Sequence, residues 1–162
     1  MKETSSRELA ELIEDLSGIV VPEHDLGRLG ILAQERAVAT GRRDVGDYFA
    51  FLRRDPGSNE WPVLLSRITN KESYLFRGHA QFEALESTIL PELANRLRDH
   101  HLKVWCAGCA RGEEAATLAI VLADSPLVGS WNWQILATDV DPAALAEARE
   151  GIFGRRAVAK VS

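Results

Sequence analysis

The sequence predicts an α/β protein in which a small N-terminal helical bundle precedes the β-α-β-α opening of a doubly wound parallel sheet. Three observations carry this reading. Apolar residues recur at three- and four-residue steps as far as about residue 70. After about residue 102 the pattern changes to short apolar runs that alternate with helical stretches. Between the first of these runs and its helix stand Gly108 and Gly112, where a strand hands over to a helix at the ligand-binding edge of such sheets.

Each element has its own signal. Leu9, Leu12, Ile13 and Leu16 lie on one helical face that stops at Gly18, and Ser5 or Ser6 is the expected N-cap. A second helix is expected from Leu26 to Ala39, closing at Gly41, and a third from Val45 to Leu52, closing at the turn cluster Asp55-Pro56-Gly57-Ser58. A fourth starts at Trp61 and Pro62 and runs to Arg67, after which Thr69 and Asn70 offer a cap. Residues 1–70 therefore form one domain. Residues 71–101 read as a connector of short helices divided by Gly78 and Pro91, with Pro91 in the first turn of a new helix. Residues 102–162 begin with the strand Leu102 to Ala107 and the helix opened by Glu113 and Glu114. The strand Trp133 to Thr138 follows, then a helix with Asp141 as N-cap and Pro142 at its first position.

Composition limits the function. The chain has 162 residues, 46% hydrophobic and 27% charged, enough to bury one substantial core or two small ones. Its net charge of -5, from 19 basic and 24 acidic residues, gives no general attraction to phosphate backbones or anionic lipid. No nucleic acid and no membrane insertion are expected. Acidic residues interrupt the apolar positions of Met1 to Leu16, with no cationic start or long apolar run, which points to the cytoplasm. Cys106 and Cys109 sit in one short loop without a second pair, so small buried thiols are expected rather than a disulfide framework or a zinc site. His24, His79, His100 and His101 lack ligand spacing and read as surface residues, and no metal is expected. Trp105, Trp131 and Trp133 read as packing residues.

The loop Ala107-Gly108-Cys109-Ala110-Arg111-Gly112 lacks the G-x-G-x-x-G order of a pyrophosphate cradle. Glu113 and Glu114 would repel a pyrophosphate at the helix N-terminus, but they suit a ligand carrying an ammonium and a sulfonium. Asp139, at the end of the second strand, is placed to accept hydrogen bonds from both hydroxyls of a ribose. A cationic nucleoside is the better fit, and a nicotinamide-dependent oxidoreductase the poorer one.

Three motifs then stand in order: Asn70-Lys71-Glu72-Ser73-Tyr74-Leu75-Phe76-Arg77, Val104-Trp105-Cys106-Ala107-Gly108-Cys109-Ala110-Arg111-Gly112-Glu113-Glu114, and Ala137-Thr138-Asp139-Val140-Asp141. In these the chain resembles the CheR-type chemotaxis protein-glutamate O-methyltransferases. The resemblance implies a Rossmann-like S-adenosylmethionine domain, with S-adenosylhomocysteine as product, behind an N-terminal domain that docks on receptors. The implied substrate is a glutamate in the cytoplasmic domain of a methyl-accepting chemoreceptor. It also implies a cofactor site of Lys71, Ser73, Arg77, Ala107, Gly108, Gly112, Glu113, Asp139 and Val140, with Arg77 as the catalytic candidate. Glu113 would face the methionyl ammonium and Asp139 the ribose. The arginine pairs Arg42-Arg43 and Arg53-Arg54 are the candidates for meeting acidic receptor helices. Lys71, Leu75 and the Ala115-Ala116 pair depart from the family's usual residues.

The resemblance further implies that the sheet is truncated, because family members continue into further strands. Two parallel strands leave an open edge, so self-association through that edge is expected. The competing reading is a non-catalytic receptor- or partner-binding module on a truncated methyltransferase scaffold.

Overall fold

The computed structural model describes residues 2–159 and divides into two compact units, Met1–Thr69 and Asn70–Ser162. The first is helical: α1 (Lys2–Ser17), a 3₁₀ turn (Glu23–Asp25), α2 (Leu26–Ala39), α3 (Val45–Arg54) and α4 (Glu60–Ile68). Leu9 and Ile13 of α1 meet Leu29, Leu32 and Ala33 of α2, Tyr48, Phe49 and Leu52 of α3, and Trp61 and Leu64 of α4 in one buried cluster. Gly18 ends α1 at φ +72°, and its N–H donates to the Glu14 carbonyl at 2.8 Å. Asp44 caps α3 by accepting the Asp47 N–H at 2.8 Å.

One expectation is corrected here. Ser5 and Ser6 do not cap α1, because the helix already begins at Lys2 and runs through both. Ser6 is buried instead, and a Cβ on Gly30 of α2 would lie 2.7 Å from its Oγ. A small side chain facing a glycine lets the two helices approach closely.

The core of this unit holds an ionic group. Arg36 Nε and Nη2 each donate at 2.7 Å to the two carboxylate oxygens of Glu60, and the Tyr48 hydroxyl donates to Glu60 Oε1 at 2.8 Å. Burial by itself would raise the Glu60 carboxyl, but the guanidinium and the phenol outweigh it and hold the group below the ordinary carboxylate range. The Tyr48 hydroxyl is pushed up by burial and by the adjacent carboxylate.

The second unit comprises α5 (His79–Ala84), a π-helical turn (Leu85–Ile89), α6 (Leu90–Arg96), β1 (His101–Ala107), α7 (Glu113–Asp124), β2 (Asn132–Thr138), α8 (Pro142–Glu150) and α9 (Arg155–Val158). The strands are parallel, paired from His101↔Asn132 to Ala107↔Thr138. One face of the sheet carries Leu102, Val104, Trp133 and Ile135, which pack in a core with Phe82, Leu90, Val121, Leu122 and Val128. On the other face Trp105 is 69% and Leu136 63% exposed. Trp105 is thus no core residue, although its indole N–H donates to Thr138 Oγ1 at 3.0 Å.

The segment 71–101 holds the two short helices α5 and α6, with Gly78 as the N-cap of α5 and Pro91 in the first turn of α6, as expected, while the residues before Gly78 are not helical. The π turn joins α5 to α6 in one continuous helical run. Phe82 and Leu90 bind this segment into the same core as the sheet.

Removing Glu60 would leave the Arg36 guanidinium, 17% exposed, without its partner. Glu60→Ala is therefore expected to destabilise the helical unit by about 3–5 kcal/mol in denaturant unfolding. The lowered Glu60 carboxyl contributes stability that is complete above its ordinary value, ~4.3, and lost as the pH falls through the lower folded value. Wild-type unfolding midpoints should accordingly drop on acidification through this range, and those of Glu60→Ala should drop less.

Candidate functional site at the carboxyl end of the sheet

β1 ends at Ala107, and the chain turns back through Gly108 at φ +77°. The N–H groups of Gly108 and Cys109 both donate to the Thr138 carbonyl at the end of β2, at 2.8 and 2.9 Å. Ala110 takes the left-handed conformation at φ +47°, which costs a non-glycine residue on the order of 1–3 kcal/mol. Its N–H is held by Asp139 Oδ2 at 2.8 Å. Gly112 follows at φ +91°, and a Cβ there would lie 3.0 Å from the Ala148 Cβ of α8, so both conformation and space demand glycine.

Asp139 accepts a second N–H, from Asp141, on Oδ1 at 2.9 Å. Asp141 is buried and caps α8 by accepting the Ala143 N–H at 2.9 Å, while the Lys71 ammonium lies 2.5 Å from its Oδ2. Burial alone would raise the Asp141 carboxyl, but Lys71 and the helix N–H groups prevail and hold it below the ordinary range. Sequence reading alone does not find this ion pair. Lys71, a candidate cofactor contact in the sequence, has its ammonium on the α8 cap.

Glu113 opens α7 and is only 5% exposed, yet its Oε2 has no hydrogen-bond partner among the described residues. Glu114 is exposed and accepts from the Cys106 thiol at 3.2 Å. Burial first, and then Glu114, pushes the Cys106 thiol up to about 12, and burial with the Asp139 charge raises Cys109 as well. Among the described residues no cluster of three or more His, Cys, Asp or Glu is placed to hold a metal.

The stretch from Ser73 to Arg77 is fastened by its backbone. Leu75 N–H donates to the Ala157 carbonyl at 2.9 Å, and Phe76 N–H to Thr117 Oγ1 of α7 at 3.0 Å. Arg77 is exposed, and its guanidinium donates to the Glu72 carbonyl. Gly108 and Gly112 thus lie in the loop after β1, Glu113 opens the helix that follows it, and Asp139 joins the loop through the Ala110 N–H, with Ala107 exposed at the end of β1 and Val140 half-exposed beside Asp139. Ser73 and Arg77 reach it only through the attachment of their segment to α7 and α9. No hydrogen bond joins either residue to Glu113 or Asp139 among the described residues. Thr117, which makes the α7 attachment, is a residue that sequence reasoning missed. Its signal was a lone polar side chain within the apolar run of α7.

In the helical unit, a groove of about 1120 Å³ runs along α2, with Ile31, Val38, Arg7, Arg42 and Arg43 among its lining residues. Arg42 lies 4.0 Å over the Phe51 ring, Arg43 is 3.6 Å from Asp47, and Arg53 and Arg54 are exposed at the end of α3. No helix among the described residues is long and apolar enough to cross a membrane.

Comparison with known proteins agrees with this geometry. A family model described as CheR methyltransferase, SAM binding domain, matches residues 71–162. The chemotaxis protein methyltransferase of Salmonella typhimurium is 33% identical over 147 residues, covering 91% of this chain and 49% of that protein. The Escherichia coli protein of the same description is 30% identical over 147 residues, with the same two shares, 91% and 49%. That of Borreliella burgdorferi is 33% identical over 118 residues, 70% of this chain and 42% of its own length. The chain spans about half the length of the curated relatives it matches. S-adenosylmethionine is the methyl donor that goes with the matched domain. An α/β chain whose glycine loop, strand-end aspartate and buried acid all fall within the matched residues belongs to the CheR methyltransferase family.

Proposed function

We propose that this chain supplies the S-adenosylmethionine site of a methyltransferase that forms glutamate methyl esters on chemoreceptors in the cytoplasm. The observation that carries the reading is Glu113. A carboxylate that is nearly enclosed at the head of a helix, with one oxygen unpaired, calls for a cation that none of the described residues provides. The methionyl ammonium is such a cation.

The other residues fit the same ligand. Each Asp139 oxygen accepts one backbone N–H and keeps further acceptor capacity, which suits the two ribose hydroxyls. A Cβ on Gly108 would have nothing within 4 Å, so the backbone there is open to close approach. Ala107 and Val140 offer apolar surface for the adenine ring. Ser73 brings a hydroxyl on the segment held against α7.

When bound, the cofactor supplies an electrophilic methyl group on a sulfonium. The residues of this chain hold and orient. A substrate glutamate, with an ordinary pKa of ~4.3, is already ionised at neutral pH, so no strong base is required. Alignment of carboxylate and methyl is the main contribution, together with exclusion of water as their charges neutralise. Arg77 uses one donor on the Glu72 carbonyl and has others for a carboxylate, that of the substrate or that of the methionyl end.

Docking is assigned to the helical unit, residues 1–70. The α2 groove offers exposed Ile31 and Val38 beside Arg7, Arg42 and Arg43, a combination that suits an amphipathic helix with an acidic flank.

Calorimetry with S-adenosylhomocysteine tests the site. Glu113→Gln and Asp139→Ala should each weaken binding by at least about tenfold, the loss of one charge-assisted contact, and an unchanged affinity in both would refute the assignment. Docking is tested with a receptor cytoplasmic fragment. Arg43→Glu combined with Arg53→Glu should lower its affinity by about tenfold at low ionic strength and by much less in high salt, and a salt-independent result would count against the basic face.

A further inference from the structure

The hydroxyl of Thr117 joins two parts of the site that share no direct hydrogen bond. It donates to the Glu113 carbonyl at 2.8 Å and accepts the Phe76 N–H at 3.0 Å, and the residue is 0% exposed. The first contact is ordinary for a threonine in a helix, where the side chain bonds one turn back. The second is not local, since Phe76 lies outside the helix and on a different segment. Phe76 also sits at φ +58°, a left-handed conformation that a bulky aromatic residue adopts only when its surroundings impose it. Two contacts impose it here: the Thr117 hydroxyl on its N–H, and the edge of its ring against Phe82, with centroids 6.1 Å apart.

Arg77 follows directly and turns back, its N–H donating to the Tyr74 carbonyl at 3.2 Å. Where Arg77 projects is therefore set by the strained residue before it. Thr117 fixes that residue and, through the opposite side of the same hydroxyl, the turn of α7 that presents Glu113. We infer that Thr117 is a positioning residue for the methionyl end of the cofactor, holding Arg77 and Glu113 in a fixed relation to each other. The inference rests on the adenosylmethionine reading of the site. It assigns Thr117 no part in holding the nucleoside, whose proposed contacts at Asp139, Gly108 and Val140 are built on β1, β2 and the loop between them and make no bond to Thr117.

Valine has nearly the shape of threonine but neither donates nor accepts. In calorimetry on the full chain, Thr117→Val should weaken S-adenosylhomocysteine binding by about tenfold, the effect of one buried hydrogen-bonded group. The same variant should bind 5′-methylthioadenosine, which lacks the amino-acid end, as wild type does. Thr117→Ser keeps the hydroxyl and should restore the affinity for S-adenosylhomocysteine. If the valine protein does not fold, Thr117→Ala against Thr117→Ser gives the same comparison. Unchanged S-adenosylhomocysteine affinity overturns the inference, and so does an equal loss for both ligands, which marks a purely structural role. Wild type that binds neither ligand would instead overturn the adenosylmethionine reading, and this inference with it.

Discussion

The carboxylate of Asp139 holds together most of what surrounds the site. One oxygen takes the N–H of Ala110, in the loop after β1, and the other takes the N–H of Asp141, at the start of α8. With the Thr138 carbonyl receiving the N–H groups of Gly108 and Cys109, the end of β2 becomes an acceptor for the whole turn that follows β1. These amides lie outside any helix or ladder, and an amide that is buried without a partner costs about as much as a lost hydrogen bond. The loop keeps its shape because each of these donors has a fixed acceptor. The left-handed Ala110 persists for the same reason.

The two units solve the problem of buried charge in opposite ways. In the helical unit the Arg36–Glu60 pair is closed by two parallel hydrogen bonds and a phenol, leaving the carboxylate saturated. In the sheet unit Glu113 is equally enclosed, but its Oε2 has no hydrogen-bond partner among the described residues. The difference follows from position: Glu60 has an arginine on a neighbouring helix within reach, whereas Glu113 stands at the positive end of its own helix, worth a fraction of a charge.

Much of the architecture was legible in the sequence, and the exceptions share a cause. Leu9 and Ile13, the strand Leu102 to Ala107, the Asp141 cap and the glycines at 108 and 112 announce themselves through local period and turn chemistry. Ser5 and Ser6 misled because a serine before an apolar run reads as a cap, whereas here α1 begins upstream of both and Ser6 is used in packing on Gly30. The non-helical stretch before Gly78 was illegible because its amides are satisfied by Ala157 and Thr117, far along the chain. The exposure of Trp105 was missed for a related reason: periodicity tells which residues share a face of a strand, but not whether anything covers that face. Asp139 could be placed at a strand end from sequence, but the two amides it receives could not.

The contact between Gly112 and Ala148 links the loop after β1 to α8, beside the Arg111–Glu147 ion pair at 3.0 Å. With 3.0 Å between a hypothetical Cβ at one position and the existing Cβ at the other, neither can grow unless α8 moves away from the loop. α8 is not free to move, since its first turn is tied through Asp141 to both Asp139 and Lys71. At Ala148, therefore, α8 has no room for a larger side chain toward the loop. A change at Ala148 would reach the loop after β1 through the backbone.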